Sequence, residues 1–337
     1  MHREREHTMK SMVLAAVLVC AVAVCFPGLA AAVGTPAGTA ITNQATVTYQ
    51  DASSNSFSSV SNTTTVTVLP VYSVAITAPA DQSVPSNTTA YYAYTLTNTG
   101  NAGNTFNLSA LSAPPGWGAA LYADDGAGGG VANDGIHQPG ETTVIASTGA
   151  LAADATYRFF MAVAVPAGTA NGTTDATTLS VTGTGDAGAG DDTSDAVTTT
   201  AQAPALTLVK DVRNVTTGGA FGAAANATPT QILEYRVTVT NGGPVAASSV
   251  VLSDPINANT GFVVGSAVFN LGTSGLTAGT AQYSNDAGAT WAYVPASGGC
   301  AAPAGADYCV TNIRWTTTGS MASGGTTFNS LFQVRVK

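Results

Sequence analysis

The densest group of side chains that could hold a ligand is Asp124-Asp125-Gly-Ala-Gly-Gly-Gly-Val-Ala-Asn133-Asp134-Gly135, closed by Glu141. Calcium takes roughly six to eight oxygen ligands, and clustered carboxylates with an Asn carbonyl can supply them. Alternate positions after Asp125 are Ala127 and Gly129, so EF-hand spacing is absent. The stretch reads either as a degenerate calcium loop through Asp124, Asp125 and Asp134 or as a hydrophilic turn. A second acidic cluster, Asp186, Asp191, Asp192 and Asp195, reads as a solvated loop. Beyond an expected leader the chain has one histidine, His137, in a loop rich in Gly and Asp. A nucleophile or acid–base set needs several such groups in one pocket, so His137 reads as an exposed polar residue and the chain as no enzyme. No His/Cys spacing suits zinc, and Gly126 to Gly130 opens no strand-to-helix turn that would cradle a phosphate. Trp291, Tyr293 and Trp315 could form a carbohydrate platform, but aromatics of this kind are more often core or cross-strand pairs.

Cys300 and Cys309 flank a short loop containing Pro303 and Gly305. Export would place them in an oxidising compartment, where they are expected to form a disulfide. Export itself is read from the start of the chain. His2, Arg3, Arg5, His7 and Lys10 form a charged segment, Met12 to Phe26 is apolar, and Ala30-Ala31-Ala32 supplies small residues for cleavage. Residues 1–32 are thus expected to be a signal peptide, with the mature chain starting near Val33. Cys20 and Cys25 raise a lipoprotein reading, yet each follows a valine where a lipidation signal wants a small residue. Leaving out Arg3, Glu4, Arg5, Glu6 and Lys10 gives seven Lys/Arg against seventeen Asp/Glu, a net charge of −10. Such a surface repels nucleic acid and anionic lipid.

These side chains must sit on strands. No apolar period near 3.6 is sustained beyond the leader, whereas alternation recurs between Gly, Pro, Asn and Asp. Ala45, Val47 and Tyr49 alternate with threonines, as do Val66 and Val68. Tyr92, Tyr94 and Leu96 form another face; Tyr157, Phe159, Met161, Val163 and Val165 the longest; then Leu233, Tyr235, Val237 and Val239, and finally Phe332, Val334 and Val336. One apolar and one polar face per strand means antiparallel sheets packed on one side, hence sandwiches. The stretch Thr95-Leu-Thr-Asn98-Thr-Gly100 repeats as Thr238-Val-Thr-Asn241-Gly-Gly243 at an offset of 143, and Leu108-Ser109 returns as Leu252-Ser253. Gly183 to Asp195 reads as a loop or frayed hairpin, and Gln202-Ala203-Pro204 as an interdomain joint. The expected organisation is a β-hairpin over 33–70, two strands around the turn Asp51 to Ser56, then sandwiches over 71–203 and 204–337. The hairpin is too small to bury a core alone. It must lie on its own first sandwich or add strands to a neighbouring molecule.

Three segments carry a resemblance: Ala205-Leu-Thr-Leu-Val-Lys210, Leu233-Glu-Tyr-Arg-Val-Thr-Val-Thr-Asn-Gly-Gly-Pro244 and Val250-Val-Leu-Ser-Asp-Pro255. Together they resemble the bacterial DUF11 surface repeat, clearest over 205–337, although Ile256 departs from its usual Leu-Pro order. Residues 71–203 are similar, more loosely, to related immunoglobulin-like modules. The resemblance implies tandem Ig-like antiparallel β-sandwiches with a structural or adhesive role outside the cell and no catalytic residues. The expected function is a secreted or cell-surface spacer, adhesin or filament subunit, with a carbohydrate-binding module of the cell envelope as the alternative. Its partners would be other surface proteins, copies of itself or envelope glycan, with no nucleic acid and no cofactor other than calcium. The sequence shows no hydrophobic C-terminal anchor, so the mature chain is expected to lack a membrane span.

Overall fold

The computed structural model describes residues 34–113, 116–185 and 191–337. The expected signal peptide and Asp186 lie outside the described residues. The protein is all-β, as the alternation requires, and no helix is found among the described residues. Hence no described helix is long and apolar enough to cross a membrane.

In the N-terminal unit each of the two expected strands is divided in two. Four short strands, β1 (Ala40–Asn43), β2 (Thr46–Gln50), β3 (Ser56–Val60) and β4 (Thr64–Thr67), form one long two-stranded ribbon, with β1 on β4 and β2 on β3. The pairing sum shifts by one residue between the two arms, from Asn43↔Thr64 to Thr46↔Val60, and that bulge splits each strand. At the tip Asp51 Oδ1 accepts from the N–H groups of Ser53 and Asn55, and Oδ2 from Asn55 Nδ2. These bonds hold the Asp51 carboxyl below its ordinary pKa. Every residue from Ala40 to Thr67 is exposed.

The first sandwich holds β5 (Val74–Thr77), β6 (Gln82–Pro85), β7 (Thr89–Asn98), β8 (Asn104–Ser112), β9 (Ala119–Ala123), β10 (Ser147–Leu151), β11 (Thr156–Ala164), β12 (Thr174–Gly183) and β13 (Asp192–Gln202). One sheet runs β5-β7-β11-β9 and the other β10-β8-β12-β13-β6, with β6 parallel to β13. Tyr92, Tyr94, Leu96, Phe159, Met161 and Val163 point into the core, as their alternation predicts. Tyr92 Oη bonds Thr199 Oγ1 (2.7 Å) and Tyr94 Oη donates to Asp195 (2.8 Å), both across to β13. Of the two readings for Gly183 to Asp195, a loop or a frayed hairpin, the described residues fit the hairpin, because Thr182 pairs with Asp192.

The second sandwich holds β14 (Leu206–Asn214), β15 (Ile232–Asn241), β16 (Ala247–Ser248), β17 (Val251–Pro255), β18 (Thr260–Val263), β19 (Val268–Asn270), β20 (Leu276–Ser284), β21 (Ala306–Asp307), β22 (Asn312–Met321) and β23 (Thr326–Val336). One sheet runs β14-β15-β23-β18-β21, with β19 also on β23; in the other, β22 pairs β16, β17 and β20. Its core is built on Trp315, Phe262, Phe328 and Phe332.

The repeated Asn-x-Gly turns do the same work in both units. Asn98 and Asn241 are fully buried. Asn98 Nδ2 donates to the carbonyls of Ala102, Leu151 and Ala152, while Oδ1 accepts from Gly100 N–H. Asn241 Nδ2 donates to Val245, Met321 and Ala322, while Oδ1 accepts from Gly243 N–H. The glycine two residues on is where the entering chain crosses. A Cβ on Gly100 would sit 2.4 Å from the Val71 carbonyl, and one on Gly243 2.4 Å from the Ala203 carbonyl. The ribbon-to-sandwich and sandwich-to-sandwich junctions are therefore built alike.

Candidate functional site

The acidic loop is organised by its own carboxylates. Asp124 Oδ1 and Oδ2 accept from the N–H groups of Asn133 and Gly135, both at 2.8 Å. Glu141 Oε1 and Oε2 accept from Gly126 and Gln138. Asp125 takes Ala127 N–H and the Thr143 hydroxyl, and Asp134 takes Ile136 N–H and Gln138 Nε2. Each oxygen has a protein donor, as a turn requires to satisfy its backbone without a sheet. No three His, Cys, Asp or Glu side chains among the described residues are grouped to hold a metal. Through these bonds Asp124, Asp125 and Asp134 shape the loop.

What the loop does is cover β11. Its His137 ring stacks on Tyr91 at 3.6 Å between centroids and meets Phe160 edge-on at 5.3 Å. Arg158 Nη1 donates to the Asn133 carbonyl and clamps the loop. His137 is half-buried rather than exposed, because its aromatic neighbours lie on the outer face of the sheet. Phe160 and Ala162 are consequently buried, giving β11 two covered faces.

Cys300 and Cys309 are bonded. Within their loop Asp307 accepts from Tyr293 Oη, Ala296 N–H and Cys309 N–H. Burial, and then this bond to Asp307, hold the Tyr293 hydroxyl above its ordinary pKa. Trp315 lies in the core, Tyr293 packs against it, and Trp291 lies under the Arg314 guanidinium at 4.4 Å. The three aromatics do not share one platform.

The remaining candidate is an open side of the second sandwich. Lys210 on β14 reaches across to Asp254 on β17 (Nζ–Oδ1 2.6 Å) and lies over the Tyr235 ring at 4.8 Å. Asp254 is buried, and burial raises its pKa despite Lys210. Its Oδ2 has no hydrogen-bond partner among the described residues. Beside the pair lies a cleft of about 310 Å³ bordered by Tyr235, Pro255, Ile256 and Phe332. Farther along β14, Leu206 and Leu208 are 39% and 59% exposed although they face the core side, opposite Asn241 and Val239.

The ribbon has the reverse problem. Val47, Tyr49, Phe57 and Val66 are all exposed, with Tyr49 stacked on Phe57 at 5.4 Å. Lying on its own first sandwich is one of its two expected fates; among the described residues the ribbon is tethered at its base alone. There Asn101 accepts Ala37 N–H and donates to the Thr35 and Leu69 carbonyls.

A repeated turn is the sequence signal for this unit. Pro36-Ala-Gly-Thr39 is identical to Pro166-Ala-Gly-Thr169, the turn that follows β11 and leads into β12. In both, the threonine N–H and hydroxyl bond the proline carbonyl, and the glycine has φ near +80° (Gly38 80°, Gly168 76°). The strand pair also closes alike: Gly38 N–H bonds Val68 and Val68 N–H bonds Thr39, as Gly172 N–H bonds Ala201 and Ala201 N–H bonds Thr173.

No family model and no curated protein matches the sequence. Among solved structures the chain is similar to one described as BspA_C_WT, at 10% identity and a TM-score of 0.28, over 77% of this chain and 87% of that one. It is likewise similar to BspA_C_mut, at 9% identity and a TM-score of 0.25, over 80% of this chain and 90% of that one. At these TM-scores the likeness carries no argument about role.

Proposed function

We propose that the chain is a secreted or cell-surface structural protein, a spacer, adhesin or filament subunit assembled from Ig-like units of the DUF11 type, and that it performs no catalysis. The observation that carries this reading is the pair of equivalent junctions at Gly100 and Gly243. They join β-units in series through the same crossing, as a spacer array requires. The DUF11 resemblance gains support from its own residues. Lys210 of the first motif and Asp254 of the third meet as an ion pair, and Asn241 of the second anchors the turn that ends β15. The polar groups that could have done chemistry are engaged in architecture: His137 in a stack, and the Asp124 and Glu141 carboxylates in backbone bonds. Export is tested by N-terminal sequencing of protein recovered outside the cell. A sequence beginning at Val33 is expected; protein retaining residues 1–32 in the cytoplasm would remove the proposed role.

A further inference from the structure

The two sandwiches share a strand plan. β7 corresponds to β15 through the Asn turn, and β8 to β17 through the repeated Leu-Ser. β10 and β11 correspond to β22 and β23: Asn98 bonds the carbonyls of Leu151 and Ala152 between the first two, and Asn241 those of Met321 and Ala322 between the second two. β5 corresponds to β14, since Val74 pairs with Asn98 as Leu206 pairs with Asn241. The first sandwich then adds β12 and β13 beside β8, with β6 beyond. Among the described residues the second has no strand beside β17 on that side.

The consequences are local and consistent. Val74 and Ile76 pack on the first core, whereas their counterparts Leu206 and Leu208 are exposed. Tyr92 is fully buried under β13, whereas its counterpart Tyr235 borders the 310 Å³ cleft. Ile256 N–H bonds Thr311 and Thr317 N–H bonds Val250, so the even-numbered residues of β17 bond β22. Val251 and Ser253 therefore turn their N–H and C=O groups outward, along a free edge.

We propose that the N-terminal ribbon of a second copy fills this gap, standing where β12 and β13 stand in the first sandwich. It rests on the structural reading above and names the partner. The ribbon is a β-hairpin and the missing element is a β-hairpin; each is preceded by a Pro-Ala-Gly-Thr turn, whose glycine opens the ribbon at Gly38 but stands four residues before the opening Gly172 in the first sandwich. Matching the closing bonds sets Gly38 and Thr39 on Gly172 and Thr173, and Val68 on Ala201. Counting on by alternate residues, Asn43, Ala45 and Val47 take the places of Thr177, Leu179 and Val181, all buried. Val66 takes that of Thr199, also buried. Asn43 apart, the inward set belongs to the ribbon's own apolar face, which no described residue of its own chain covers. Leu179 pairs with Ala110, the counterpart of Asp254, so Ala45 would lie beside Asp254 and Val47 beside Leu252. Residues 34–70 carry a single charge, Asp51 at the tip, so the strands that enter bring no charge to desolvate. Each copy offers one ribbon and one gap, a head-to-tail contact that extends into a filament.

The test uses the mature chain and two single variants, Val47→Asp on the ribbon and Leu208→Asp in the gap. Both sites are exposed in the single chain, so folding is checked simply by an unchanged circular dichroism spectrum. By sedimentation and negative-stain microscopy the parent forms filaments, and each variant alone associates at least about 100-fold more weakly, the effect of placing a carboxylate in an apolar contact. An equimolar mixture pairs the intact ribbon of one with the intact gap of the other and stops at dimers. A parent that stays monomeric at every concentration, a variant that assembles like the parent, or a mixture that stays monomeric would each overturn the proposal. A monomeric parent leaves an exported spacer or adhesin standing, whereas a cytoplasmic location leaves the docking measurable in solution.

Discussion

The first sandwich is closed on the side where the second is open, and the difference comes from which strands are present rather than from composition. Both units place an aromatic at the same point of the strand leading to their buried Asn. Tyr92 is covered and bonded to Thr199, while Tyr235 lies at a cleft with Lys210 over its ring. An apolar edge without a cover costs the burial its side chains would have contributed, roughly 25 cal/mol per Å². In the second unit Lys210 and Asp254 form an ion pair across the gap. The lesson is that Ig-like units in a series need not be self-sufficient, and that an exposed ribbon and an exposed groove in one chain can be two halves of one contact.

Core truncation separates the units most strongly. Phe159→Ala is expected to cost about 3–5 kcal/mol in denaturant titrations, because Phe159 is fully enclosed. Leu208→Ala should cost about 0.5 kcal/mol or less in the monomer. A large loss at Leu208 in the monomer would show that the groove is already covered. Asn98→Ala and Asn241→Ala should each cost about 2–3 kcal/mol, since each strands several carbonyls. Unequal losses would break the claim that the turns are equivalent. Reducing Cys300–Cys309 should remove roughly 2–3 kcal/mol from the second unit alone, read as a fall in one of two melting transitions.

The smallest effects are in pH. Asp286 is held down to about 2, first by the Ser284 hydroxyl and then by Thr290. Its contribution is present above the ordinary carboxylate value of 3.8 and is lost as pH falls toward about 2. Asp254 runs the other way. Burial raises its pKa, so its contribution is full below 3.8 and declines as pH rises through its folded midpoint. Carboxyl carbon NMR titrations should place the two midpoints on opposite sides of 3.8.

Much of this was legible in the sequence. Alternation placed Tyr92, Tyr94, Leu96, Phe159 and Met161 on inward faces, and the repeated Asn marked the shared turn. Other features depend on contacts between distant segments that alternation does not encode. Phe160 is buried because a loop ending at Glu141 folds over it. His137 is held by Tyr91, 46 residues away in a strand whose other face was already assigned. The ribbon's division into four strands follows from a bulge near Asn62, which has no apolar signature. The openness of the second sandwich is a property of strands that are not beside it, visible only when the two units are laid strand on strand.

The most direct test of that openness moves the ribbon. In a rearranged chain, residues 34–70 are removed from the N-terminus and attached after Lys337 through a short Gly/Ser linker. If the second sandwich lacks the hairpin that the first possesses, this chain is monomeric, and its second unit melts well above that of a chain lacking residues 34–70. It also no longer binds a free ribbon from the parent protein. Equal melting temperatures for the rearranged and ribbon-deleted chains would contradict the account.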